Sequence, residues 1–288
     1  MSEQSNQVTN SSIDEPIGAK MPEIARTTDT SAEEVVLVVE QEADAEAPKE
    51  EAKKTRYRAK PKFPMPIPAK VLLLDLDGTL LDTAPDIALA INQMRAAFGF
   101  ASLETGVVRN YIGRGTAHLV SQSMKNSVGE LGASASKVAV AQFEKQYQNC
   151  LAQTTRPFAG VFEGLALFRE KGFKLACVTN KAERFTLPLL EATGLARHFE
   201  LVLSGDSLAE KKPHPLPLQH AAKHFGVMIE EVVLIGDSMH DAAAARAAGC
   251  PVFIVPYGYN EGQELRGLDC DAFIEDLPSA LKYVRVSA

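Results

Sequence analysis

The stretch VLLLDLDGTLL, residues Val71–Leu81, determines how the rest of this chain folds. Four apolar residues lead directly into Asp75, Asp77 follows two positions later, and Gly78 permits a sharp turn. A continuous apolar run that ends at a glycine turn is typical of a strand buried on both faces of a parallel sheet. We therefore expect Asp75 at the carboxyl end of a strand, where open α/β sheets bind their ligands.

The two acids that follow this strand are close enough to act together. Extended backbone repeats every two residues, so Asp75 and Asp77 can face the same side. Two neighbouring carboxylates repel each other, and the arrangement calls for a cation, a shared proton or a reaction. The alternative is a surface loop with two solvated acids. The apolar lead-in argues against that alternative because it anchors the pair at the sheet.

Composition limits the classes of protein that this chain can belong to. A length of 288 residues suits one large or two small globular units, and a formal net charge of -7 disfavours a general nucleic-acid binder. The four cysteines are far apart and form no CxxC pair, which indicates reduced thiols. No apolar run reaches the length of a membrane span, and the N-terminus lacks the pattern of a signal peptide. We expect a soluble cytoplasmic protein that binds neither nucleic acid nor a membrane.

Residues 1–68 differ in composition from the rest of the chain. They contain no aromatic residue before Tyr57 and are rich in Ser, Thr, Glu, Ala and Pro, which predicts a disordered tail. Acids dominate between Asp29 and Glu51, and Lys and Arg dominate between Ala52 and Lys70. We expect a solvated tail, with a contact arm for an acidic partner as the alternative.

A helical segment is predicted directly after the first strand. Thr83 fits the N-cap of a helix, and Asp86 fits the closing position of a capping box. Further along, only helical patterns occur, and the clearest are Val107–Met124 and Val138–Leu151. We expect these helices to form a cap over residues 85–156.

Strands and helices alternate from Pro157 to the end of the chain. Five further strands are predicted, at 173–178, 200–203, 232–235, 252–255 and 272–274. Alternation of this kind predicts an α/β fold with a doubly wound parallel sheet. Residues 69–84 and 157–288 would form this core.

Polar residues recur where these predicted strands end. Thr179 and Asn180 follow one strand, Lys212 lies after the next, and Asp237 and Asp241 flank the end of a third. Each feature alone is weak, because turns, surface lysines and helix caps use the same residues. All of them fall at the same edge of one sheet, and chance is a poor explanation for that.

The motifs DLDGTLLDT, VTN, KKP and GDSMHD resemble those of the haloacid dehalogenase superfamily, in its phosphatase branch. The helical segment between the first two motifs resembles the helical cap of one class of members. The segments KKPHPLPL, RAAGCP, YGYNEG and YIGRGTAHLV are similar, more narrowly, to the phosphoglycolate phosphatase family. The resemblance covers about residues 71–285 and implies a Rossmann-like core with a helical cap.

The resemblance implies a nucleophile, a proton donor and a metal site. Asp75 would attack phosphorus and form an aspartyl-phosphate. Asp77 would protonate the leaving alkoxide and then accept a proton from the attacking water. Mg²⁺ would be held by Asp75, Asp237 and the backbone carbonyl of Asp77. Asp241 would orient Lys212 or a metal-bound water rather than bind the metal.

Three further residues would hold the phosphoryl oxygens, namely Thr179, Asn180 and Lys212. The acid at Asp77 separates the branches of the superfamily. Dehalogenases and phosphonate-cleaving members lack an acid there, and the transport ATPases carry Thr. Asp77 therefore favours a phosphatase or a phosphomutase.

Three positions depart from the pattern of the phosphoglycolate phosphatases. Arg114 and His240 stand where Asn is common, and Glu261 stands where an aromatic residue is common. Guanidinium groups bind carboxylates in bidentate fashion, so Arg114 is a candidate for substrate specificity; the alternative is a surface arginine. We expect His240 to be a solvent-facing helix residue.

The expected function is hydrolysis of 2-phosphoglycolate to glycolate and phosphate by a Mg²⁺-dependent phosphatase. A phosphatase of another small ester, such as a sugar phosphate or pyrophosphate, is the alternative among enzymes. A β-phosphoglucomutase-like role is disfavoured by the YGYNEG segment. A non-catalytic interaction protein that uses the charged tail is the alternative of another class, and the four intact motifs argue against it.

Overall fold

The computed structural model describes residues 59–265 and 267–287. The strands, in chain order, are β1 (Ile67–Ala69), β2 (Val71–Leu74), β3 (Leu81–Asp82), β4 (Arg156–Pro157), β5 (Lys174–Val178), β6 (Leu201–Leu203), β7 (Val232–Gly236), β8 (Val252–Ile254), β9 (Ala272–Phe273) and β10 (Val284–Val286). The α-helices are α1 (Ala84–Ala97), α2 (Thr105–Arg109), α3 (Thr116–Val128), α4 (Ala133–Cys150), α5 (Val161–Lys171), α6 (Glu183–Ala192), α7 (Leu216–Phe225) and α8 (Met239–Ala248). None of these helices combines the length and the apolarity that crossing a bilayer requires.

The described residues form a parallel sheet in the order β6-β5-β2-β7-β8-β9. Its strands are the six that the sequence predicts, each displaced by no more than two residues. Every residue of β2 is buried, because this strand lies between β5 and β7. The α/β fold with a parallel sheet is confirmed.

Helices cover both faces of the sheet. This is required because the apolar side chains of β2 point alternately to the two faces. Leu72 and Leu74 belong to the apolar cluster that includes α5 and α6. Val71 and Leu73 belong to the cluster on the other face, which includes α7 and α8. Successive side chains of a strand point to opposite faces, so an unbroken apolar run is what a sheet covered on both sides needs.

Helices α1 to α4 lie between β3 and β4 in the chain and share an apolar cluster, which also includes Phe185 and Tyr259. We propose that this segment is the cap predicted over residues 85–156. The predicted helix Val107–Met124 is broken, because α2 ends at Arg109 and α3 begins only at Thr116. Between these two helices, Gly113 and Gly115 adopt φ angles of 129° and 86°, which a continuous helix cannot accommodate.

The start of α1 differs from the predicted capping box. Thr83 does stand at the N-cap, but its side chain makes no capping hydrogen bond. Asp86 instead accepts four hydrogen bonds, from the backbone N–H and hydroxyl groups of Thr154 and Thr155. Burial alone would raise the pKa of Asp86, but these bonds lower it below its ordinary value. The capping-box prediction was wrong because Asp86 ties α1 to the segment that leaves α4.

The end of the predicted tail contacts the core. The Lys60 N–H donates to the carbonyl of Cys270 at 2.9 Å, and the Lys62 N–H donates to Asp271 at 2.7 Å. Strand β1 then pairs in parallel with β10. Residues 59–68, which composition assigned to the tail, therefore belong to the fold, while residues 1–58 lie outside the described part of the chain.

Candidate active site

Three adjacent strands deliver the predicted site residues to one edge of the sheet. Asp75 follows β2, Thr179 follows β5, and Asp237 follows β7. Leu74 is in register with both Cys177 and Ile235, so the strands end at nearly the same level. The parallel register is thus the reason that residues far apart in sequence meet.

These residues open into a cavity between the carboxyl edge of the sheet and helices α1, α3 and α4. Its volume is about 670 Å³ including the open space at its mouth, which suits a small molecule. The predicted site residues that line it are Asp75, Asp77, Thr179, Asn180, Lys212 and Asp237.

Lys212 connects two of the carboxylates. Its buried ammonium lies 2.7 Å from Asp75 Oδ1 and 2.6 Å from Asp241 Oδ1. The other oxygen of Asp241 accepts hydrogen bonds from the backbone N–H and the hydroxyl of Ser238. Ser238 thus holds the Asp241 carboxylate against the Lys212 ammonium, which supports the prediction that this residue orients Lys212.

Three buried carboxylates converge here. Single oxygens of Asp75, Asp237 and Asp241 lie within 4.8 Å of one another. Burial raises the pKa of both Asp75 and Asp237 above the ordinary value, and repulsion between the carboxylates raises it further, against the effect of Lys212. The excess of negative charge and the oxygen donors fit a hard divalent cation such as Mg²⁺.

Asp237 is held tightly in place. Its Oδ2 accepts a hydrogen bond of 2.6 Å from the Tyr259 N–H, and its Oδ1 accepts one of 3.4 Å from Thr79. A Cβ atom at Gly258 would lie 2.1 Å from the Asp237 Cβ. A Cβ at Gly78, whose φ is +87°, would lie 2.3 Å from Asp237 Oδ2. Both positions therefore require glycine.

Asp77 has a partner that the sequence analysis missed. The Thr83 hydroxyl donates to its Oδ1 at 2.6 Å, and the Lys181 ammonium lies 3.0 and 3.1 Å from its two oxygens. The Lys181 side chain is only 6% exposed, and its ammonium lies 4.8 Å from the centre of the Tyr147 ring. Burial alone would lower the pKa of Lys181, but Asp77 outweighs it and raises the pKa above its ordinary value. The signal in the sequence was its position directly after Thr179-Asn180.

Asn180 is placed differently from a simple phosphate ligand. Its side-chain amide donates to the carbonyl groups of Gly113 and Lys212, each at 2.8 Å. Both amide donors are used, so a contact with a phosphoryl oxygen would have to come from the backbone N–H. The side chain links the α2–α3 connection to the loop that carries Lys212.

Arg114 does not line the cavity described above, but its Nε lies 3.3 Å from His240 Nε2. Its side chain is 47% exposed, and Nε lies 3.1 Å from Glu261 Oε1. His240 does line the cavity, is buried, and lies 2.9 Å from the same Glu261 oxygen. The prediction that His240 faces solvent was wrong, because Glu261 provides the ring with a partner under the α2–α3 connection.

The fold and this cluster of strand-end residues define a hydrolase class. A family model of the haloacid dehalogenase-like hydrolases matches residues 72–255, and the chain belongs to this family.

Relatives narrow the class further. The phosphoglycolate phosphatase of Nitrosospira multiformis is 49% identical over 220 residues, which are 76% of this chain and 97% of the relative. That of Thiobacillus denitrificans is 50% identical over 217 residues, which are 73% and 93% of the two chains. A crystal structure from Haemophilus somnus, described as a predicted phosphoglycolate phosphatase, superposes with a TM-score of 0.71 at 33% identity. The alignment covers 74% of this chain and 97% of that one. The chain is accordingly a phosphoric monoester hydrolase.

Proposed function

We propose that this enzyme is a Mg²⁺-dependent phosphatase that hydrolyses 2-phosphoglycolate to glycolate and phosphate through an aspartyl-phosphate. The proposal for the chemistry depends above all on Asp75, which lies at the end of the central strand with the Lys212 ammonium 2.7 Å away. The proposal for the substrate rests on the relatives named phosphoglycolate phosphatase. An intact set of charged groups in this cavity argues against a non-catalytic interaction protein.

In the first step, Asp75 attacks phosphorus and the glycolate oxygen leaves. Lys212 places a positive charge beside the attacking carboxylate, where the phosphoryl oxygens must lie. The Thr179 hydroxyl and the Asn180 backbone N–H are the other donors proposed for these oxygens. Because phosphoryl transfer is catalysed mainly by positioning and charge stabilisation, the rigid lysine contacts suit this step.

Asp77 handles the proton in both steps. It gives its carboxyl proton to the leaving oxygen and later takes one from the water that hydrolyses the aspartyl-phosphate. The hydrogen bond from Thr83 and the contact with Lys181 fix the orientation of its carboxylate. Thr83 is the N-cap residue of α1, so the proton donor is connected directly to the proposed cap.

Mg²⁺ would be held by the carboxylates of Asp75 and Asp237 and the backbone carbonyl of Asp77, and when bound it supplies charge neutralisation at the phosphoryl group. The hydrogen bonds from Tyr259 and Thr79 keep Asp237 in the orientation that this role needs. Asp241 contributes indirectly by orienting Lys212.

Phosphate release from a panel of esters tests the proposal. The panel contains 2-phosphoglycolate, a hexose phosphate and pyrophosphate, with Mg²⁺ and then with excess EDTA. We expect the highest kcat/KM for 2-phosphoglycolate, and a substrate-derived phosphate on Asp75 after rapid acid quench. Asp75→Asn serves as the matched control without the nucleophile. A higher kcat/KM for another ester would refute the substrate, and an unphosphorylated enzyme at every quench time would refute the intermediate.

A further inference from the structure

Two lysines line the cavity described above, and they lie at different ends of it. Lys212 contacts Asp75 and Asp241, and so belongs to the phosphoryl end. Lys181 contacts Asp77, and so belongs to the end where the leaving group departs. The mechanism above uses the charge of Lys212 and assigns no substrate contact to Lys181.

Distances place the Lys181 ammonium within reach of the leaving group. A proton donor must approach the oxygen that it protonates to about 2.6–3.2 Å, so the ester oxygen lies next to Asp77. In 2-phosphoglycolate a single methylene separates this oxygen from the carboxylate. The ammonium lies 3.0 and 3.1 Å from the two oxygens of Asp77. A carboxylate one carbon beyond the ester oxygen can therefore reach the Lys181 ammonium.

The rest of this end of the cavity is lined mainly by aromatic rings, and its one polar atom among them is the buried hydroxyl of Tyr147. The Tyr147 ring lies under the ammonium, and Phe143 and Phe185 pack against that ring with centroids 5.5 and 5.0 Å away. All three aromatic residues line the cavity and are buried. A carboxylate placed there without a cation would lose its hydration uncompensated. An ammonium has three donors, which is enough to serve Asp77 and a second carboxylate together.

Arg114 is the rival cation, because the sequence analysis assigned substrate specificity to it. Its guanidinium already pairs with Glu261, and its side chain is about half exposed. A contact screened by water discriminates less than one made in a buried site. The geometry thus favours Lys181 over Arg114 as the contact for an anionic leaving group.

We propose that Lys181 binds the carboxylate of the substrate and thereby determines the preference of the enzyme for 2-phosphoglycolate over phosphate esters whose leaving group carries no charge. This inference rests on the proposed function. It makes Lys181 a specificity-determining residue, in addition to its contact with Asp77.

The experiment crosses two substrates with three variants of the full chain. The substrates are 2-phosphoglycolate and its neutral amide, 2-phosphoglycolamide, which has nearly the same size and shape. The variants are Lys181→Met, Lys181→Arg and Arg114→Met. The readout is the ratio of the two kcat/KM values, because any loss that acts through Asp77 affects both substrates and cancels in the ratio.

We expect wild type to prefer 2-phosphoglycolate, and Lys181→Met to lower the ratio roughly tenfold to hundredfold, as for a charge-assisted hydrogen bond. Lys181→Arg should keep most of the preference, and Arg114→Met should leave the ratio unchanged. If Lys181→Met does not fold, as judged by circular dichroism, Lys181→Gln provides a neutral replacement that keeps a polar group in the site.

The outcomes separate the inference from the function on which it rests. A wild-type enzyme that treats the two esters alike would overturn the substrate assignment and the inference together. A wild type with a clear preference that neutral variants of Lys181 retain would overturn the inference alone. A preference lost in Arg114→Met and kept in Lys181→Met would move the carboxylate contact to Arg114.

Discussion

Asp75→Asn is expected to abolish turnover and, at the same time, to stabilise the metal-free protein. An amide is a poor nucleophile, so phosphate release should fall to the background rate. The gain in stability has a different origin. Burial, followed by repulsion from Asp241 and Asp77, raises the pKa of Asp75 from 3.8 to about 7 despite the nearby Lys212. In the folded, metal-free protein, the neutral acid form of Asp75 is therefore more favourable than it is in the unfolded chain.

The magnitude follows from linkage between proton binding and folding. Between about pH 4 and pH 7 the folded protein holds a proton at Asp75 that the unfolded chain has released, so stability falls as pH rises through this window. Each unit of pKa corresponds to about 1.4 kcal/mol, which gives an upper limit of about 4 kcal/mol. Asp75→Asn also loses the charged contact with Lys212, because the amide carries no negative charge. This loss reduces the gain in the free energy of unfolding.

Urea unfolding in EDTA at pH 5 and pH 8 measures the effect. Wild type should be less stable at pH 8, while Asp75→Asn should show a flatter dependence on pH and exceed wild type at pH 8. Glu170→Gln, at an exposed position of α5, is the matched control for loss of one acid. Added Mg²⁺ should stabilise wild type at pH 8, because a cation that binds the folded state shifts the equilibrium. An Asp75→Asn protein no more stable than wild type at pH 8 in EDTA would refute the reasoning.

Three further predictions concern the metal, the tail and Tyr259. Phosphatase activity should disappear in excess EDTA, return with Mg²⁺ and need far more Mg²⁺ in Asp237→Ala; full activity in EDTA would contradict the metal site. A chain that starts at Ala59 should keep the kcat/KM of the whole protein, whereas one that starts at Val71 should melt at a lower temperature because β1 and its contacts are missing; equal melting temperatures would show that β1 contributes no stability. Tyr259→Phe should lower the free energy of unfolding in urea by about 1–3 kcal/mol, since its hydroxyl bonds to Asp82 and to two backbone N–H groups; an unchanged value would show that water replaces these bonds.

The sheet could be predicted from the sequence because its signals are local. An apolar run such as Val71–Leu74 is long enough for one strand and has no polar residue to expose, so it fits a strand covered on both faces. Asp75, Thr179 and Asp237 could be assigned to one edge because the carboxyl ends of parallel strands share an edge. Strand β1 was missed because its partner β10 lies more than 200 residues away and both are three residues long.

The side-chain partners could not be predicted, because they depend on tertiary contacts. Asp86 has the spacing of a capping box, but Thr154 and Thr155 offer it four donors once α4 has returned to the sheet. In the sequence, Lys181 resembles a surface lysine at the start of a helix. Its contact with Asp77, which is 104 residues away, forms only in the folded protein. His240 is buried for a similar reason, since Glu261 approaches it from another loop.

The hydroxyl of Tyr259 sets a condition on any exchange of the helical segment between relatives. It accepts hydrogen bonds from the N–H groups of Thr83 and Ala84 at the start of α1, although it lies 175 residues beyond Ala84. Its own backbone N–H donates to Asp237. A chimera that combines α1–α4 of one protein with the sheet of another would keep this helix start only if the recipient has a tyrosine at this position. The transferable module therefore includes a residue outside the segment that is moved.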